Sequence, residues 1–150
     1  MNAVGMNTAG MNAVGMNTGD VNTADEPTAR LLADLDQYLD QAVGDQRGAL
    51  WRLAEPARQL DANLIRLPPG AEVPVHMEPD VDVLLLAVGG HGVLHTDTGP
   101  VELSTHTLAW LPHGSRRSIT AGPDGLAYVT VHRARTGLRI RPPAGAQQAS

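Results

Sequence analysis

From Gly48 onward the chain keeps repeating one pattern, a short run in which apolar and polar side chains alternate, closed by a turn signal. A period of two sends successive side chains to opposite faces, the mark of a half-buried strand. The candidate strands are residues 49–53, 62–67, 72–76, 82–88, 92–96, 101–103, 107–111, 116–121 and 127–133. Between them stand Pro68-Pro69-Gly70, Glu78-Pro79-Asp80, Gly89-Gly90, Asp97-Thr98-Gly99-Pro100, Pro112-His113-Gly114 and Gly122-Pro123-Asp124-Gly125. Pro and Gly at these spacings fix tight turns. Many short strands with regular punctuation specify an antiparallel sandwich or barrel, and they exclude alternating βα units.

The chain ahead of the strands reads differently. Residues 1–20 are a five-residue repeat beginning Met1-Asn2-Ala3-Val4-Gly5. It buries too little apolar surface to offset ordering entropy, so a disordered tail is expected over residues 1–27. A start of translation at one of its later methionines is a further expectation. Over residues 28–44, Leu31, Leu32, Leu35, Tyr38, Leu39, Ala42 and Val43 recur at helical spacing opposite Asp34, Asp36 and Asp40. That is one amphipathic helix, with Asp25 or Thr28 as its cap and Gly44 at its end. Its apolar stripe is expected against the barrel or a second subunit. The barrel is expected over residues 48–141 and a second disordered tail over residues 142–150.

Composition narrows the chemistry. Cysteine and lysine are both absent from the sequence. Thiolate nucleophiles, cysteine-ligated metals, Schiff bases and the phosphate-binding lysine of a Walker loop are therefore excluded. No Gly-x-Ser-x-Gly elbow occurs. Eleven basic residues against 16 acidic ones give a net charge of −5, and the basic residues are scattered, so no nucleic-acid partner is expected. No stretch reaches the ~18 apolar residues of a bilayer span, and no signal peptide is recognisable. No membrane partner and a cytoplasmic location are the expectation. Phenylalanine is missing as well, which leaves an aliphatic core with Trp51, Trp110, Tyr38 and Tyr128 as its large rings.

The segment from Leu67 through Gly70, His76 and Glu78 to Asp80 resembles the first signature of the cupin superfamily, which runs Gly, five residues, His-x-His, three or four residues, Glu, six residues, Gly. His106 through Trp110, Pro112, Gly114 and Arg117 resembles the second, which runs Gly, five residues, Pro-x-Gly, two residues, His. The segment from Leu84 to Gly92 matches the family's middle in length and order. The resemblance implies an all-β, cupin-type antiparallel barrel (a double-stranded β-helix, or jelly roll) of the small single-domain, RmlC-like kind. It also implies a homodimer formed by strand exchange at the barrel edge.

Cupins that use a metal hold it inside the barrel with three histidines and one carboxylate. Carried over position by position, the first histidine stands as His76 and the second has become Glu78. The carboxylate falls on Val83, or on Asp82 in a register one residue shorter. The last histidine has become Arg117, and the glycine opening the second signature has become His106. An arginine offers donors only and stays protonated, so it cannot ligate a metal and repels a divalent cation. The resemblance therefore implies a dismantled metal site, with at most His76 and Glu78 as ligands and no cofactor. An ion pair between Glu78 and Arg117, with His76 beside it, is expected in place of the metal.

The leading reading is a metal-independent, non-catalytic barrel that binds a small anionic or hydroxylated molecule. Its candidate contacts are His76, Glu78, Asp82, Trp110, Arg117, Tyr128 and His132, with Arg117 as the bidentate donor. Trp110 is more often a core ring than a stacking platform, His113 and Arg116 belong to the barrel mouth, and His91 and His95 are expected to be exposed. A second reading is an enzyme. It is either a dioxygenase-like protein whose divalent transition metal sits on His76 and Glu78 with Asp82 or His132, or a metal-free isomerase. In the latter His76 or His132 is the base and Tyr128 the acid. A third is a structural or regulatory partner protein. The same polar residues also read as the satisfied remnant of a lost metal site.

Overall fold

The computed structural model describes residues 27–135; the Met-Asn repeat and the 142–150 tail lie outside them. Residues 27–33 belong to a separate compact unit and carry neither helix nor strand. The second unit begins at Asp34 and opens with helix α1, Leu35–Gln41. Asp34 is its N-cap, accepting hydrogen bonds from the backbone N–H of Asp36 (3.1 Å) and Gln37 (3.4 Å). Because a cap residue is itself extended, this carboxylate ends the helix on its N-terminal side, well after Asp25 and Thr28.

Seven strands follow among the described residues: β1 (Gly48–Arg52), β2 (Leu60–Leu67), β3 (Glu72–Met77), β4 (Val83–Thr96), β5 (Gly99–Ser104), β6 (Leu108–Leu111) and β7 (Arg116–Arg133). All pairings are antiparallel, in the order β1-β2-β7-β4-β5, with β3 added to β7 and β6 to β4. Two expected turns are instead bends inside long strands. Gly89-Gly90 lies within β4 and Gly122 to Gly125 within β7, and the β4–β7 register slips on either side of Gly90.

Both bends need a residue without a side chain. A Cβ on Gly90 would stand 2.1 Å from the Gly125 carbonyl oxygen, at a φ of +69°. One on Gly125, at φ +79°, would stand 2.9 Å from the carbonyl oxygen of Leu67. Glycine chemistry that often reverses a chain here folds two paired strands over together.

The fold-over brings the first half of β4 to face its second half. One core cluster joins Val83, Leu85, Ala87 and Tyr128 from one side to Leu94, Leu103, Ile119 and Ala121 from the other. Alternation in β4 is clean: Val83, Leu85 and Ala87 are buried while Asp82, Leu84 and Leu86 are exposed. Val83 pairs with both Leu111 and His132, and Thr96 pairs with Arg117. His132 and Arg117 thus flank the same end of the barrel. The other end, around Leu67, Leu103 and Leu126, is fully buried.

On the outer face Arg66 ties the α1–β1 connection down, its Nη1 donating to the carbonyls of Gly44 (3.0 Å) and Gln46 (2.7 Å). Leu39 of α1 reaches the Gly89–Ala127 pair.

Candidate functional site

A cavity of about 360 Å3 opens between the edges of β1 and β3. Its inner walls are aliphatic, from Ile65, Leu67, Val73, Leu85 and Ile119, its mouth carries His76, Glu78, Arg117, His132 and Arg135, and Arg47, donating to the Glu72 carbonyl, borders it from the β1 edge. Five of the seven residues singled out in the sequence, His76, Glu78, Arg117, Tyr128 and His132, line it together.

Arg117 is the unusual member. Strand alternation in β7 turns it inward beside Ile119 and Ala121, and it is the one buried charged residue among those described, at 5% exposure. Its Nη1 donates to the carbonyl oxygen (3.1 Å) and hydroxyl (3.4 Å) of Ser115. Its Nε is buried with no hydrogen-bond partner. Burial lowers the guanidinium from its ordinary value, and the charge of Glu78 works in the opposite direction.

The expected Glu78–Arg117 ion pair is not formed. Glu78, with a side chain only 14% exposed, is paired through Oε2 with Nη2 of Arg135. Its Oε1 accepts from the backbone N–H of Asp80 at 3.2 Å. Arg135 follows β7 directly and reaches the same mouth, so the nearer surface arginine takes the carboxylate and the buried one is left without it. Nothing in the sequence signals this, because Arg135 lies beyond the last strand position that alternation can assign.

The two histidines present a definite face. Nδ1 of His76 lies 2.9 Å from the carbonyl of Pro74, and Nδ1 of His132 lies 2.8 Å from the carbonyl of Arg133. A carbonyl only accepts, so in each neutral ring Nδ1 carries the proton and Nε2 remains an acceptor. Tyr128 lies deeper, 4% exposed, and burial pushes its phenol up to about 12, against a smaller opposite pull from Arg47. A phenol held that firmly protonated is a poor proton donor near neutrality.

The other two candidates lie elsewhere. Asp82 faces outward, its Oδ1 accepting from the backbone N–H (2.8 Å) and Nδ1 (2.7 Å) of His113. The backbone N–H first, and the ring second, hold its carboxyl below the ordinary carboxylate range. Trp110 is 65% exposed, opposite Leu84 on the outer face. It borders a second cavity of about 490 Å3, on the β5–β6 side, which Arg117 also lines. Sequence reasoning missed Arg47, Arg135 and Thr130 among the lining residues. Thr130 was within reach, since it falls two residues from both Tyr128 and His132.

A metal of the kind the fold family implies does not fit this mouth. Among the described residues no three His, Cys, Asp or Glu side chains converge as a metal-binding group. Glu78 is engaged by Arg135, Asp82 by His113, and a guanidinium occupies the remaining position. Nor is any helix among the described residues long and apolar enough to cross a membrane.

No protein-family model and no curated protein matches the sequence. Solved structures do match the fold. A cupin-2 domain-containing protein from Shewanella frigidimarina aligns with TM-score 0.55 and 12% identity over 69% of this chain and 95% of its own. A cupin protein from Bacteroides fragilis aligns with TM-score 0.51 and 21% identity over 65% and 83%. The cupin domain of Schizosaccharomyces pombe Cnp3 gives TM-score 0.52 and 18% identity over 57% of this chain, which spans 64% of that one. At these identities the likeness is one of fold: the chain has the architecture of a cupin domain.

Proposed function

We propose that this cupin-fold chain is a metal-independent receptor for a small anionic molecule, bound in the cavity between β1 and β3 with Arg117 as its anchor. The observation that carries the reading is the buried guanidinium whose Nε has no partner. An ionised group taken out of water destabilises a fold by several kcal/mol unless it is paired and hydrogen-bonded. Glu78 is held by Arg135, and an anion entering from solvent supplies the missing counter-charge. Guanidinium offers carboxylates a planar, bidentate contact. Arg47 also lines the cavity and adds to the attraction, and about 360 Å3 is room for a small metabolite.

The test is thermal unfolding against a panel of monocarboxylates, dicarboxylates, inorganic phosphate, neutral sugars and amines, with wild type and Arg117→Met side by side. A ligand at 100 times its Kd adds about 2.7 kcal/mol to the wild type. Anions are expected to stabilise the wild type alone. Equal stabilisation of both proteins, or a response to neutral sugars only, contradicts the reading.

A further inference from the structure

The order in which polar and apolar groups follow one another into the barrel specifies more than charge. Strand register sets the depth of each lining residue. His76 and Arg117 are cross-strand partners at the mouth, and Val73 and Ile119 are the next pair inward along β3 and β7. On the facing side His132 pairs with Val83 at the mouth, Thr130 with Leu85 lies next, and Tyr128 with Ile65 lies beyond. Arg47, exposed and donating to the Glu72 carbonyl, borders the cavity from the β1 edge, and the other charged lining groups stand in the first layer. Below it the cavity runs between Val73, Leu85, Ile119 and Ile65 towards Leu67. The first layer holds one carboxylate, already paired with Arg135, and one buried guanidinium without a carboxylate.

We infer that the ligand is an amphiphilic monocarboxylate, its single charge at Arg117 in the mouth and an unbranched or lightly branched hydrocarbon tail directed inward. This rests on the reading of the cavity as an anion site and adds the chemistry of the rest of the molecule. Arg117 is the one buried cation among the described residues, so one carboxylate answers it, whereas a second charge carried inward with the tail enters the aliphatic layers. The tail has a favourable environment in those layers, where each buried methylene contributes about 0.8 kcal/mol, or roughly a fourfold gain in affinity.

Isothermal titration of the full chain with acetate, butyrate, hexanoate and octanoate tests this, with succinate and inorganic phosphate as comparisons. Affinity is expected to rise about fourfold per added methylene until the tail meets the buried end, then to level off. Succinate and phosphate are expected to bind more weakly than hexanoate. Val73→Phe, which fills the inner cavity, should weaken hexanoate far more than acetate. Val101→Phe, which fills the β5–β6 cavity that also borders Arg117, should leave both unchanged. Circular dichroism and the unliganded melting temperature establish that each variant folds.

Arg117-dependent binding with no chain-length trend, or with phosphate or succinate preferred, overturns the amphiphile and leaves the anion site standing. Loss of affinity in Val101→Phe instead of Val73→Phe overturns the assignment of the tail to the β1–β3 cavity. No Arg117-dependent binding of any anion overturns the anion site itself.

Discussion

A guanidinium 5% exposed with a bare Nε works against the stability of the fold that holds it. If the charge serves binding, its removal should help folding. Arg117→Met keeps the length and apolar stem of the side chain, so it is expected to raise the unfolding free energy by ~1–4 kcal/mol while abolishing anion stabilisation. Denaturant unfolding measures it, and a destabilised variant would mean that Arg117 is a scaffold group satisfied by Ser115. His106 makes a separate case. Its φ is +73°, a left-handed conformation that disfavours any residue with a Cβ. The family signature has glycine at this position, and the strain shows what that glycine is for. His106→Gly is expected to gain up to ~1 kcal/mol and His106→Ala nothing comparable.

Protonation at two further residues contributes to the stability profile. Tyr128 has a folded-state value raised to about 12, so it contributes stability below the ordinary tyrosine range near 10 that is lost as pH rises through the folded value. Alkaline unfolding should steepen between those limits, by on the order of 3 kcal/mol, and Tyr128→Leu should flatten it. Asp82 has a lowered value, so its contribution is present above the ordinary carboxylate range and disappears as pH falls below it. Asp82→Asn should remove that part of the acid-side decline and leave the alkaline side unchanged. An unaltered acid limb would show that the Asp82–His113 contact contributes nothing.

Among the elements, β4 and β7 matter most because each crosses the barrel, bends and returns. Alternation was enough to mark residues 82–88 and 127–133 as strands, and it puts Tyr128, Thr130 and His132 on one face once any of them is known to point inward. It could not distinguish Gly89-Gly90 from a chain reversal, since a bend inside a paired strand and a hairpin turn need the same positive-φ glycine; only the partner strand decides. The same limit explains Trp110, where alternation assigns a face but not what covers it. Glu78 shows a third limit, because its ion pair was decided by where the chain runs after β7. The bend itself can be tested. Gly90→Ala adds a Cβ 2.1 Å from the Gly125 carbonyl oxygen and is expected to destabilise by ~3 kcal/mol or more. Gly114→Ala, with φ +78° but open space around it, should lose only ~1–2 kcal/mol. Equal effects would mean that backbone conformation alone, and not the close approach of the two strands, demands glycine at the bend.

At the scale of the whole molecule, the outer face of β6, β4 and β7 exposes Leu84, Leu86, Leu108 and Trp110 beside Val129 and Val131. An apolar sheet face of this kind suits association with a second copy, and we propose a homodimer there. Trp110→Glu should shift wild-type sedimentation to that of a monomer without changing carboxylate affinity. A wild type that sediments as a monomer at all concentrations would contradict it.

The Nε of Arg117 can be observed directly. A buried Arg117 Nε–H exchanges slowly with water, so it should give a resolved 15N-correlated signal, assigned by its loss in Arg117→Met. Titration with hexanoate is expected to shift that signal saturably, with the same affinity that calorimetry reports. A signal that ignores every carboxylate, or that broadens instead on stoichiometric binding of a transition metal through His76 and Glu78, would contradict the anion-binding account.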